Sequence, residues 1–111
     1  MGYCTRIASS KADALTTGND LTFDYPGSGT ITVPAGSDGA LRLCISVGTA
    51  SIVYIRHNSV NLALNSGIAL TADCLYTFTL ELPAGETFSL RIGTNCTINV
   101  VTIDYVVGSV I

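Results

Sequence analysis

Leu75-Tyr76-Thr77-Phe78-Thr79-Leu80-Glu81-Leu82, then Pro83-Ala84-Gly85-Glu86, then Thr87-Phe88-Ser89-Leu90-Arg91-Ile92 is the stretch that decides the fold class. In the first run Tyr76, Phe78, Leu80 and Leu82 fall on one side of an extended chain, and Thr77, Thr79 and Glu81 on the other. In the second, Phe88, Leu90 and Ile92 alternate with Ser89 and Arg91. This period of two marks a half-buried strand. Between the runs, Leu82-Pro83-Ala84-Gly85 predicts a type I turn, with Pro second and Gly fourth.

Working outward, Gly93-Thr94-Asn95 is a second turn signal, and the last strand is expected from Cys96 to about Val106. Its polar residues change parity, from Thr97 and Asn99 to Thr102 and Asp104. Either both faces are covered or a β-bulge lies near Val100-Val101. Upstream, Leu21 and Phe23, then Ile31 and Val33, alternate with polar residues around a turn at Tyr25-Pro26-Gly27-Ser28-Gly29. A turn at Pro34-Ala35-Gly36 precedes Leu41, Leu43, Ile45 and Val47, which share a face. Ile52 to His57 is apolar on both faces, which predicts a central strand. Asn58-Ser59 leads to Val60, Leu62 and Leu64, and Ser66-Gly67 to Ile68–Leu70. The one helix-like stretch is Ala8–Leu15, which Ser9 or Ser10 could cap.

A weak internal echo relates Thr30-Ile-Thr-Val-Pro-Ala-Gly with Leu41-Arg-Leu to Thr79-Leu-Glu-Leu-Pro-Ala-Gly with Leu90-Arg-Ile. It fits two similar hairpins, or one good turn used twice. The whole predicts an all-β, antiparallel β-sandwich, jelly-roll-like, with eight or nine short strands. Residues 1–111 form a single domain, with 1–19 as an N-terminal arm or edge segment.

Composition narrows the function. Charged residues make up 12% of the 111 residues and hydrophobic residues 48%. The net charge of -3 argues against a nucleic-acid surface, and the high hydrophobicity against disorder. Leu43–Ile55 is the longest uncharged apolar stretch and falls short of the roughly 20 residues that span a bilayer. Met1-Gly2-Tyr3-Cys4-Thr5-Arg6 lacks the start of a signal peptide, so the chain reads as soluble and unprocessed, with no membrane partner. Cys4, Cys44, Cys74 and Cys96 are widely spaced and read as four unpaired, buried thiols in a reduced compartment. Asn95-Cys96-Thr97 matches a glycosylation sequon but reads as a turn.

No motif identifies a catalytic centre. His57 is the single histidine and has only Ser59 nearby, which is no triad. Metal and cofactor sites are not expected, because no Cys/His cluster or phosphate loop is present. Asp20 and Asp24 alternate with apolar residues and read as a solvated strand face. Arg42, Arg56 and Arg91 lie mid-strand, where they could pair with Glu81 or Asp104 or meet acidic groups on a partner. Tyr25 and Tyr54 are the remaining aromatic candidates for a carbohydrate site. The chain carries more apolar residues than a small sandwich can bury, which points to a symmetric homo-oligomer. Its end, Tyr105-Val106-Val107-Gly108-Ser109-Val110-Ile111, is uncharged. Tyr105, Val106, Val107, Val110 and Ile111 are therefore expected at an oligomer or partner interface, together with the three arginines.

In style, residues 20–111 resemble small virion proteins of tailed bacteriophages. The likeness lies in Thr- and Ser-rich strands, the single lysine Lys11, and Leu82-Pro-Ala-Gly-Glu-Thr-Phe-Ser-Leu-Arg-Ile92 ahead of an apolar C-terminal strand. The resemblance implies a capsid decoration (cement) protein, with no catalytic residues. Such a protein would be made in the host cytoplasm and seated, often as a trimer, on the capsid surface. There it would tie major capsid protein subunits together. Two other classes remain open: a tail, baseplate or fibre adhesin that binds a surface glycan, and a small cupin-like enzyme. The lone histidine counts against the enzyme.

Overall fold

The computed structural model describes residues 3–34 and 39–107. The chain is all-β, with two antiparallel sheets of four strands and no α-helix among the described residues. The strands are β1 (Tyr3–Leu15), β2 (Ile31–Thr32), β3 (Gly39–Val47), β4 (Val53–His57), β5 (Val60–Ala63), β6 (Tyr76–Leu80), β7 (Thr87–Ile92) and β8 (Cys96–Val107). One sheet has the order β1-β8-β3-β6 and the other β2-β7-β4-β5. The inward side chains of both sheets form one core, including Leu43, Ile45, Ile98 and Ile103 from the first and Val53, Ile55, Phe88 and Leu90 from the second. The arrangement is sandwich-like.

The parity change of the last strand is a bulge. Along β3, Ser46 pairs with Val100 and Val47 with Ile98, so Asn99 is the extra residue. Cys96 and Ile98 point inward before it, and Val101, Ile103 and Tyr105 after it. The Asn99 side chain pins the bulge by donating to Ser46 Oγ (3.2 Å) and Asp73 Oδ1 (2.9 Å). On the other side Ala12 of β1 adopts a left-handed φ of 54° beside the same irregularity.

Ala8–Leu15 is not helical but the second half of β1, paired with β8 from Ala8↔Ile103 to Leu15↔Cys96. Ala8, Ser10 and Leu15 are buried there. Pairing to a long, apolar central strand outweighs the modest helix preference of Ala8, Ala12 and Ala14. Leu21 and Phe23 are buried as their alternation predicts, yet they form no ladder. Leu21 donates its N–H to Leu90 and Phe23 to Ser28. Ile68–Leu70 likewise contributes only a bridge, Ser51↔Leu70. The turn after Leu82 begins one residue later than expected. Glu86 N–H donates to the Pro83 carbonyl (3.2 Å), and Gly85, third in the turn, has φ +82°. A left-handed third position makes Gly the favoured residue there. Of the Pro34-Ala35-Gly36 signal, residues 35 and 36 lie outside the described residues.

The two long margins of the structure differ. At one, β1 is stitched to the segment leading into β2 by two backbone hydrogen bonds between Ser9 and Tyr25 (2.9 and 3.0 Å). At the other, β6 and β5 end their sheets, and no backbone bond joins them among the described residues.

The β3–β8 contact is tight at Gly39. A β-carbon there would sit 2.7 Å from Tyr105 Cζ and 2.7 Å from the Val106 carbonyl oxygen. Gly39→Ala is therefore expected to destabilise the fold by about 1–3 kcal/mol. Urea denaturation checks this, and an unchanged midpoint would contradict the packing described.

Candidate functional site

The outer faces of the two sheets carry related charge arrangements. On the first, Asp104 of β8 lies between Arg6 of β1 and Arg42 of β3, its register partners on either side. Arg6 Nε donates to Asp104 Oδ1 at 2.5 Å and Arg42 Nη2 to Oδ2 at 3.5 Å. Asp104 is only 5% exposed, capped by two half-exposed guanidinium groups. On the second, Asp20 reaches over β7. Its Oδ1 accepts from Arg91 Nε (2.6 Å) and Ser89 Oγ (3.0 Å). Arg56 of β4 stands next to Ser89 in register and hydrogen-bonds Asn61 (2.8 Å). Asp104 thus pairs with two arginines, whereas Asp20 pairs with Arg91 alone and Arg56 stands beside them without an ion pair among the described residues.

Partial burial pushes the Asp20 carboxyl up. The hydrogen bonds from Arg91 and Ser89 and the charges of Arg91 and Arg56 outweigh it, holding Asp20 below its ordinary value.

Of the three expected arginines, Arg56 and Arg91 thus share the outer face of one sheet and Arg42 lies on the other. Arg42 and Val106 line one depression of about 430 Å³ with Thr79 and Glu81. Arg56 lines a second, polar one of about 250 Å³ on the other sheet, with Asp20, Thr30 and Thr87. Arg42 pairs with Asp104, one of the two acids expected. Tyr105 is buried in the core of its own chain, whereas Val106 and Val107 are half-buried at the end of β8. Val110 and Ile111 lie outside the described residues. His57 packs beside Glu86, with Nε2 3.5 Å from Oε1, and that nitrogen has no hydrogen-bond partner. Among the described residues no group of three His, Cys, Asp or Glu side chains could hold a metal. Among the described residues no helix is long and apolar enough to cross a membrane.

Two readings of the sequence need correction. Of the four free cysteines only Cys96 is buried; Cys44 is half-buried and Cys4 and Cys74 are exposed. Cys44 and Cys4 sit on polar strand positions, where alternation turns them outward, and Cys74 sits in a connection. Burial pushes the Cys96 thiol up. Asp20 is no freely solvated strand residue but the anchor of Arg91.

Sequence reasoning missed the open margin. Val60 and Leu62 pair with His57 and Ile55, so they lie on the inward face, yet they are 54% and 45% exposed. Opposite them, the inward residues of β6, Tyr76, Phe78 and Leu80, are only half-buried. Alternation reveals which face of a strand is apolar, not whether the other sheet extends far enough to cover it.

Comparison with protein-family models and with curated proteins finds no match.

The Asp20 cluster makes a pH prediction. A carboxylate held below its unfolded value stabilises the fold above that value and loses its contribution as pH falls through the folded one. Below about pH 4, wild-type stability should fall more steeply than that of Asp20→Asn. Thermal unfolding from pH 7 to pH 2 tests this, and parallel curves would contradict the Arg91–Asp20 pairing.

Proposed function

We propose that this chain is a non-enzymatic structural subunit of a virion, of the capsid decoration (cement) type, which self-associates as a homotrimer and binds the major capsid protein lattice. The observation that carries this reading is the uncovered inward face of β5. Four consecutive residues, Val60–Ala63, are exposed in an edge strand, and two of them are apolar side chains on the core side. An edge strand with apolar cover missing is a template for association unless something blunts it. Lys, Pro and inward charge are the usual protections, and β5 has none of these. In a trimer the β6 side of one copy's margin would meet the β5 side of the next, a head-to-tail contact that closes a ring.

The strand orders support a jelly-roll reading of the sandwich. The chain crosses between sheets at each step from β1 to β4, runs β4 to β5 within one sheet, then crosses at each step to β8. This winding supports the double Greek key of jelly rolls, an architecture common among viral capsid domains, lectins and cupins. Attachment at several equivalent lattice points would strengthen modest individual contacts. Val106 and Val107 lie at the end of a central strand and are proposed, together with Val110 and Ile111, to extend the interface.

Light scattering on the full chain is expected to give the mass of a trimer. Leu62→Lys is expected to give a monomer with an unchanged far-UV spectrum, because Leu62 lies outside the packed core. A monomeric wild type, or a trimer unaffected by Leu62→Lys, would overturn the proposed interface. Absence of the chain from purified virions would overturn the capsid role.

A further inference from the structure

We propose that the outer face of β4 and β7 holds a binding site for a carboxylate-bearing saccharide, built on Arg56 and Asp20. This site lies on the face opposite the inward surface of β5, and the inference does not depend on the oligomer.

The cavity of about 250 Å³ described above is lined by side chains of mixed hydrogen-bonding character: Asp20, Thr30, Arg56, Asn58, Thr87 and Ser89. Its floor is β-sheet, in which Arg56 and Ser89 are register partners. Ser89 is more than nine-tenths buried, and its hydroxyl is committed to Asp20 Oδ1. Arg91 binds the same oxygen. These contacts fix the carboxylate and leave Oδ2 without a hydrogen-bond partner among the described residues. Arg56 makes one hydrogen bond, to the neutral Asn61, and no ion pair among the described residues. Most of its guanidinium donors are free to face a ligand.

The pairing of these two groups defines the ligand. A free guanidinium favours a carboxylate, which it can bind with two parallel donors. A fixed carboxylate oxygen nearby repels a bare anion and accepts from hydroxyl groups. A ligand that satisfies both must carry an anionic group and hydroxyls in one molecule. Thr30, Thr87 and Asn58 add further donors and acceptors suited to a polyol. A sugar acid meets every one of these requirements.

The β4–β5 turn is consistent with this use. Asn58 and Ser59 both adopt left-handed φ, 51° and 62°, as a two-residue hairpin turn demands. Glycine is the favoured second residue of such a turn. Serine at position 59 costs backbone strain, and it keeps a hydroxyl at the cavity rim.

Amide NMR of the full chain, titrated with D-glucuronic acid, D-glucose and acetate, tests the proposal. Glucuronate is expected to shift the Asn58, Ser59, Thr87 and Ser89 amides at millimolar concentrations. Glucose and acetate, each carrying half of the required chemistry, are expected to bind at least about tenfold more weakly. Arg56→Gln should weaken glucuronate by a similar factor without disturbing core amides. Thr87→Val should weaken glucuronate and glucose alike, a separate readout of the hydroxyl contacts. The proposal is overturned if glucuronate leaves these four amides unmoved or if acetate matches it. Unchanged glucuronate affinity in Arg56→Gln would also overturn it.

Discussion

The last strand has to bury two apolar runs of opposite parity, and the structure turns on how it does so. β8 lies between β1 and β3 and pairs with both along nearly its whole length. Without an extra residue, either Cys96 and Ile98 or Val101, Ile103 and Tyr105 would face solvent. The bulge at Asn99 lets both sets reach the core. It also turns Asp104 outward, between Arg6 and Arg42. Burying five core residues on one strand is worth several kilocalories per mole, far more than the distortion of a single bulge. The bulge has its own support in the Asn99 bonds to Ser46 and Asp73, which tie β8 to β3 and to the loop ahead of β6.

The two margins of the sandwich are unequal. β1 reaches across to the Tyr25 segment and closes one side. β5 has only four residues and β6 five, and the inward side chains of both remain partly uncovered. Closing that side within one chain would need another covering element, which the described residues do not supply. The proposed cover is a neighbouring copy, whose β6 side would meet the β5 side of this one head to tail.

Much of the fold was legible because alternation is a local signal. Leu41, Leu43, Ile45 and Val47 face inward as read, as do Phe88, Leu90 and Ile92. Of the two alternatives the parity change left open, the bulge is the one found, at Asn99 beside the Val100-Val101 position read from the sequence. What failed was non-local. The alanines of Ala8–Leu15 look helical until β8 is beside them, and Leu21 and Phe23 alternate without a continuous partner. The site was less legible for the same reason. Arg42 and Asp104 are 62 residues apart and Arg91 and Asp20 are 71 apart. Strand placement offered Asp104 as one possible partner of Arg42, but nothing in the spacing joined Asp20 to Arg91. Nor did it show that Arg6 shares Asp104, or that the inward face of β5 lacks cover.

Hydroxyl-radical footprinting of the intact protein at assembly concentration tests the covered margin most directly. Val60 and Leu62, with Tyr25 as the reference, are each about half exposed in a single chain. If a second copy covers β5, Val60 and Leu62 will be protected relative to the diluted protein, while Tyr25, on the closed side, will react equally in both. Equal oxidation of Val60 and Leu62 at the two concentrations would show that the margin stays open, and would contradict the account.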